Sequence, residues 1–188
     1  MENSPSSATV GQPAPLFSAP AAFPADSPAD AVRTVSLGDY RDRWLVFFWY
    51  PSDFTFVCPT EITAFSDRVD EFEELGAAVL GASTDSAYSH RAWMRTPRLE
   101  NGIADTRFPI LADRTHAIAR AYGVLIAEEG VALRGLFIID PDGVLQYAVI
   151  NNLNIGRSVD ETLRVLQALQ SGGLCPSDWK PGQQTLSS

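Results

Sequence analysis

Cysteine, histidine and lysine are scarce in this chain of 188 residues. It has two cysteines, two histidines and a single lysine, Lys180. Cys58 and Cys175 lie far apart, and His90 and His116 fall in unrelated segments, so neither pair has the close spacing of a zinc site. We therefore expect no metal and no other cofactor. The lack of a Cys-X-X-Cys sequence also disfavours a self-contained dithiol centre.

The chain also has few positively charged residues and no long apolar segment. The net charge is −9, and an acidic surface disfavours nucleic acid and anionic membranes as partners. No apolar run reaches the roughly 18 residues of a membrane helix. The first residues, MENSPSSATV, lack the basic and apolar segments of a secretory signal. We expect a cytoplasmic protein, in which a structural disulfide would be unusual.

Size and composition predict one folded domain with flanking tails. A hydrophobic content of 45% in 188 residues allows a substantial core. Residues 1–9 are small and polar and are predicted to be a disordered tail. Residues 10–170 form the predicted domain, and residues 171–188 form a C-terminal tail that carries Cys175.

Strand and helix patterns alternate along the predicted domain. Strands are predicted over 16–22, 32–37, 44–50, 77–83, 108–111, 136–139 and 145–150, and helices over 59–75, 87–95, 115–122 and 159–170. The first strand is expected at a sheet edge, in a hairpin with the second. This order predicts an α/β domain with a mixed sheet flanked by helices.

The segment 44–61, WLVFFWYPSDFTFVCPTE, contains the most informative residues. An apolar strand ends at Pro51, and a helical period begins after Cys58, so the cysteine lies at a helix start. The free N–H groups and dipole at such an end stabilise an anion, and the thiolate is the reactive form of cysteine. Thr55 is close enough to donate to the thiolate or to a bound oxygen. Equally, Cys58 is explained as a small buried apolar residue.

The spacing of Pro51, Thr55 and Cys58 matches the active-site pattern of the peroxiredoxins. The longer string FTFVCPTE resembles the typical two-cysteine peroxiredoxins, which include the bacterial alkyl hydroperoxide reductase peroxidase subunit. The resemblance extends from about residue 10 to residue 186. It implies a thioredoxin-like fold with an N-terminal hairpin and a C-terminal tail.

The resemblance also implies an active-site network around Cys58. Arg134, in RGLFIIDP, is similar to the arginine that stabilises the thiolate and the peroxide in this family. From its position alone, it could instead pair with a surface carboxylate. Glu61 and Arg157 are similar to a glutamate and a second arginine that position the first arginine. Glu61 is equally well explained by its favourable place at a helix start.

Three further segments resemble functional parts of the family. Trp93, in HRAWMR, matches a tryptophan near the active site, although core packing explains it equally well. Phe54 is expected to pack over the thiol. Asp85 and Ser86 lie in a loop similar to one between dimers in family decamers, and they also form an ordinary helix cap.

Cys175 resembles the resolving cysteine, which in this family reacts with the sulfenic acid of the other subunit. A tail cysteine can also be incidental. The resemblance implies a thiol peroxidase that acts on hydrogen peroxide and organic hydroperoxides. It also implies a homodimer, with a decamer more weakly indicated, and recycling by an external dithiol. Thioredoxin, a dedicated flavoprotein or another thiol system could each be that reductant.

Two departures from the family pattern predict resistance to overoxidation. The loop at 101–105 reads NGIAD instead of Gly-Gly-Leu-Gly, and no Tyr-Phe follows Trp179. Two other functions are compatible with the sequence. A ring-shaped holdase would need neither cysteine, and a protein disulfide oxidoreductase would act without peroxide. The spacing of Thr55 and Cys58, with Arg134, favours the peroxidase.

Overall fold

A computed structural model describes residues 8–24 and 30–187. The chain divides into two compact units, Met1–Arg157 and Ser158–Ser188. Most of the tail expected over residues 1–9 lies outside the described residues, and the domain boundaries remain predictions. No helix in the described ranges combines the length and apolar character needed to cross a membrane.

The first unit alternates strands and helices. Its strands are β1 Ser18–Ala22, β2 Val32–Ser36, β3 Trp44–Trp49, β4 Ala77–Ser83, β5 Ile110–Ala112, β6 Leu125–Ile126, β7 Val131–Ala132, β8 Arg134–Ile139 and β9 Leu145–Asn151. Its helices are α1 Cys58–Asp67, α2 Val69–Glu74, α3 Ala87–Trp93 and α4 Ala117–Ala121. Short 3-10 turns occupy Leu37–Tyr40 and Arg98–Glu100.

A seven-stranded mixed sheet forms the centre of this unit, in the order β2-β1-β5-β4-β3-β8-β9. The pairs β3–β4 and β4–β5 are parallel, and the other neighbours are antiparallel. The predicted α/β class with a mixed sheet is therefore confirmed. The predicted hairpin of the first two strands is present as β1–β2.

Strand β3 owes its central position to its composition. Leu45 through Trp49 are all buried, as expected for an apolar strand covered on both faces. Phe47 contacts Phe17 and Tyr122, with ring centroids 5.0 and 5.1 Å apart. Because β8 runs antiparallel to β3, with Phe48 opposite Leu136, the end of β3 meets the start of β8.

Three details differ from the sequence prediction. The helix predicted over 59–75 is two helices, because Arg68 leaves helical geometry at φ −115° and ψ 17°. Strand β1 is not an edge strand. It also pairs with β5 through Ala21 and Ala22, which follow the proline that restricts pairing. A short hairpin, β6–β7, was not predicted.

The second unit contains helix α5, Val159–Ser171, and the segment after it. The Ser158 hydroxyl accepts from the Glu161 N–H at 3.2 Å, and Gly172 ends the helix in a left-handed conformation, φ 64°. Both ends agree with the prediction to within a residue. The following segment turns back on itself, since Leu174 and Leu186 form an antiparallel bridge.

Candidate active site

Cys58 is the first residue of α1 and has no solvent exposure. Pro59 follows it at a position where a proline is compatible with a helix start, because the first turn has no internal partner for its N–H groups. The thiol is free. Its sulfur therefore lies at the positive end of a helix, where a negative charge is stabilised.

Arg134, the first residue of β8, extends its guanidinium to Cys58. Its Nη2 lies 3.5 Å from the Cys58 sulfur. Its Nη1 donates to the Glu61 carboxylate at 2.5 Å, and its Nε donates to the Leu153 carbonyl at 2.7 Å. The side chain is 3% exposed. A buried guanidinium fixed by three contacts stabilises an adjacent sulfur anion and remains correctly oriented.

Glu61 lies between two arginines. While one carboxylate oxygen accepts from Arg134, the other accepts from Arg157, from Nε at 2.8 Å and from the backbone N–H at 2.7 Å. Arg157 is itself held by the carbonyls of Trp49 and Gly135, at 2.7 and 2.5 Å. One carboxylate thus compensates two buried positive charges and fixes the direction of Arg134.

A pocket of about 240 Å³ opens beside the sulfur. Its walls are formed by the loop before α1, by Arg134 and by the segment after β9. The lining residues are Pro51, Thr55, Phe56, Val57, Cys58, Arg134 and Leu153. The Thr55 hydroxyl donates to the Ser52 carbonyl at 2.9 Å rather than to the sulfur. Its oxygen therefore remains able to accept a hydrogen bond from a molecule in the pocket.

Phe54, expected over the thiol, does not line this pocket. Its backbone is left-handed, φ 55°, and its ring lies 5.7 Å from the ring of Trp93. Trp93 is fully buried and donates from Nε1 to the Asn101 carbonyl at 2.7 Å. These two residues form a packing contact, and Phe56 takes the place at the pocket that was expected of Phe54.

Ser86 caps α3, where its hydroxyl accepts from the Ser89 N–H at 3.1 Å. The Asp85 carboxylate accepts from the backbone N–H of Asp53, in the loop before Cys58, at 3.0 Å. Both residues therefore have roles within the chain. The Ser86 contact agrees with the helix-cap interpretation of this segment, and the role between dimers stays a prediction.

The structure also contains a polar cluster that sequence reasoning missed. The sequence analysis considered His90 only as a metal ligand and excluded it because His116 lies in a different segment. In the structure the His90 ring contacts the carboxylate of Asp53 at 2.9 Å. Ala87, His90 and Trp93 are buried at three-residue spacing, so the helical period was the available signal for its burial. That period could not identify its partner.

Cys175, in the second unit, is partly exposed and free. Its sulfur lies 3.4 Å from the Ser171 hydroxyl and 3.7 Å from the Ala168 carbonyl, both near the end of α5. The segment that carries it is held to the helix, since Arg164 donates to the Trp179 carbonyl at 3.0 Å. The thiol is therefore partly accessible in a segment that is held to the helix.

Comparisons with known proteins place this geometry in a family. The model of the AhpC/TSA family matches residues 10–148. The chloroplastic 2-Cys peroxiredoxin BAS1 of Hordeum vulgare is 51% identical over 182 residues, covering 94% of this chain and 84% of its own length.

Solved structures agree with that match. The reduced 2-Cys peroxiredoxin of Plasmodium vivax has a TM-score of 0.88 at 39% identity, covering 94% of this chain and 91% of its own. AhpC of Mycobacterium tuberculosis has a TM-score of 0.80 at 40% identity, covering 93% and 99%.

Proposed function

The chain belongs to the AhpC/TSA family and is a thiol peroxidase of the peroxiredoxin type, and on that premise we propose that Cys58 is its peroxidatic nucleophile. The observation that carries this proposal is the 3.5 Å contact between the Arg134 guanidinium and the Cys58 sulfur at a helix start. A cation and a helix dipole both favour the thiolate, which is the form that attacks a peroxide.

In the first step, the Cys58 thiolate attacks the terminal oxygen of hydrogen peroxide or an alkyl hydroperoxide. A sulfur–oxygen bond forms as the oxygen–oxygen bond breaks. The leaving oxygen takes the bonding electron pair and a proton, and departs as water or alcohol. Cys58 becomes a sulfenic acid, and no metal, flavin or haem takes part.

Each residue of the pocket has a different role in this step. Arg134 donates to the peroxide oxygens as negative charge moves to the leaving oxygen. The Thr55 hydroxyl donates its own hydrogen bond to the Ser52 carbonyl, so its oxygen is able to accept a hydrogen bond from the peroxide O–H. Pro51 closes the pocket wall without adding a competing N–H donor. Glu61 and Arg157 position Arg134 and transfer no proton.

In the second step, Cys175 of the partner subunit attacks the Cys58 sulfenic acid. A disulfide forms, and the hydroxyl group leaves as water after taking a proton. An external dithiol, from thioredoxin or a dedicated flavoprotein, then reduces this disulfide by exchange. The proposal requires a homodimer, which can assemble further into a decamer. The accessible thiol of Cys175 supports its part in this step.

The test is a non-reducing denaturing gel with intact mass, after one equivalent of hydrogen peroxide. We expect the wild type to become a covalent dimer joined through Cys58 and Cys175. Cys175→Ser should stay monomeric on the gel and gain one oxygen at Cys58. Cys58→Ser should consume no peroxide. Unmodified thiols in the wild type, or full peroxidase activity in Cys58→Ser, would overturn the assignment.

A further inference from the structure

One nitrogen of the Arg157 guanidinium lacks a hydrogen-bond partner. Nε donates to Glu61, and Nη1 donates to the carbonyls of Trp49 and Gly135. Nη2 is buried and has no acceptor among the residues that the structure describes. The side chain is 3% exposed, so bulk water does not serve as the partner. A buried N–H group of a cation is costly unless another interaction stabilises it.

The ring of Phe48 lies against this guanidinium. The Arg157 Cζ atom lies over the ring, 5.4 Å from its centre. A cation within about 6 Å of an aromatic face is attracted by the electrons of the ring, and the attraction is strongest where water is excluded. Phe48 has no solvent exposure. The ring therefore offers Arg157 an electron-rich surface where an oxygen acceptor is missing.

The Phe48 ring is itself held in a fixed orientation. It is stacked on Phe65 of α1, with centroids 4.8 Å apart and planes 14° apart. It also makes an edge contact with Phe108, with centroids 5.6 Å apart. Phe48 directly precedes Trp49 in β3, and the Trp49 carbonyl holds Arg157 Nη1. Strand β3 therefore fixes the guanidinium at two points, through a carbonyl oxygen and through a ring.

We propose that Phe48 is a positioning residue for the peroxidase reaction and acts through a cation–π contact with Arg157. Arg157 holds one oxygen of the Glu61 carboxylate. The other oxygen fixes Arg134, which contacts the Cys58 sulfur. Phe48 does not line the pocket beside the sulfur, so its effect on the reaction passes through these contacts. This inference rests on the proposed function, since it concerns how Arg134 is aimed.

The alternative is that Phe48 only fills space in the core. Fluorine on the ring distinguishes the two roles. Each fluorine withdraws electrons from the face of the ring and weakens its attraction for a cation, while the shape of the side chain changes little. A residue that only fills space should tolerate this change. A residue that holds a cation should lose function with each added fluorine.

The experiment places mono-, di- and trifluorinated phenylalanine at position 48 by nonsense suppression. The matched control is the same series at Phe65. Because these two rings stack on each other, fluorine on either one alters the stacked pair, whereas the contact with Arg157 is made by Phe48. Stopped-flow fluorescence gives the rate constant of Cys58 with hydrogen peroxide. Calorimetry of the reduced proteins shows that each variant is folded at the temperature of the assay.

We expect the peroxide rate constant to fall stepwise with each fluorine at position 48, by about three- to tenfold at the trifluorinated ring. The monofluorinated ring, which is closest to the native ring in size, should already show the direction of the change. The series at position 65 should keep the rate constant of the wild type. A rate constant that does not depend on fluorine at position 48, or that falls equally in both series, would refute the inference. A wild type that does not react with peroxide would instead refute the proposed function.

Discussion

Glu61→Gln is the substitution from which the structure predicts most. The carboxylate accepts three hydrogen bonds from Arg134 and Arg157 and is 4% exposed. Glutamine keeps the shape, but it leaves two guanidinium groups without their shared negative charge and turns an N–H donor toward one of them. Breaking a buried ion pair on one side costs about 3–5 kcal/mol.

That cost is a large part of the free energy of unfolding, which is typically about 5–15 kcal/mol. For a chain of this size, each kcal/mol lowers the melting temperature by about 2–4 °C, so we expect a decrease of about 6–20 °C. The peroxide rate constant should also fall about tenfold or more, because Arg134 loses the contact that aims it at the sulfur.

The assay pairs calorimetry and urea unfolding of reduced protein with stopped-flow oxidation by hydrogen peroxide. Glu74→Gln is the matched control, since it removes an equal charge from an exposed position on α2. It should change the melting temperature by no more than a degree or two and leave the rate unchanged. If Glu61→Gln behaves like this control, the carboxylate does not hold the arginines and the reasoning is wrong.

Three other outcomes follow from single contacts. Arg134→Lys should slow peroxide oxidation by about a hundredfold or more in stopped-flow measurements, because an ammonium cannot reproduce the three-way contact of the guanidinium. Gly135→Ala should lower the unfolding free energy by about 1–3 kcal/mol in urea, since its Cβ would lie 2.6 Å from Val124. The hydrogen bond from Arg98 lowers the pKa of Asp67, so this pair stabilises the fold above the ordinary aspartate pKa and loses that effect in acid. Arg98→Ala should therefore be less stable than the wild type in urea by at most about 1 kcal/mol near pH 7, and the difference should shrink as the pH falls below the ordinary aspartate pKa. The hydrogen bond from Arg98 Nε to the Ala104 carbonyl does not depend on this titration.

Local patterns in the sequence, together with the family resemblance, were sufficient to predict the strand-to-helix junction and most of the active-site residues. The apolar run of β3 and the helical period after Cys58 predicted the strand-to-helix junction, and the resemblance indicated Arg134, Glu61 and Arg157. These three residues meet Cys58 or one another in the structure. A helix cap at Asp85 and Ser86 was also predicted, and Ser86 forms it.

Contacts between distant segments were harder to predict. The pairing of His90 with Asp53 depends on how α3 packs, and periodicity predicts burial without naming the partner. Phe54 was misplaced because nothing in the sequence marks a phenylalanine as left-handed. The break at Arg68 was missed because the apolar period continues across it.

The antiparallel pairing of β3 with β8 makes catalysis depend on strand register. Cys58 follows the end of β3 and Arg134 begins β8, so the ladder that puts Phe48 opposite Leu136 also sets the distance from guanidinium to sulfur. A slip of one residue would turn Arg134 to the other face, and a slip of two would move it by about 6.6 Å along the strand. Recovery of peroxidase activity during refolding is therefore a functional readout of correct alignment at the centre of the sheet, one that measurements of total strand content would miss.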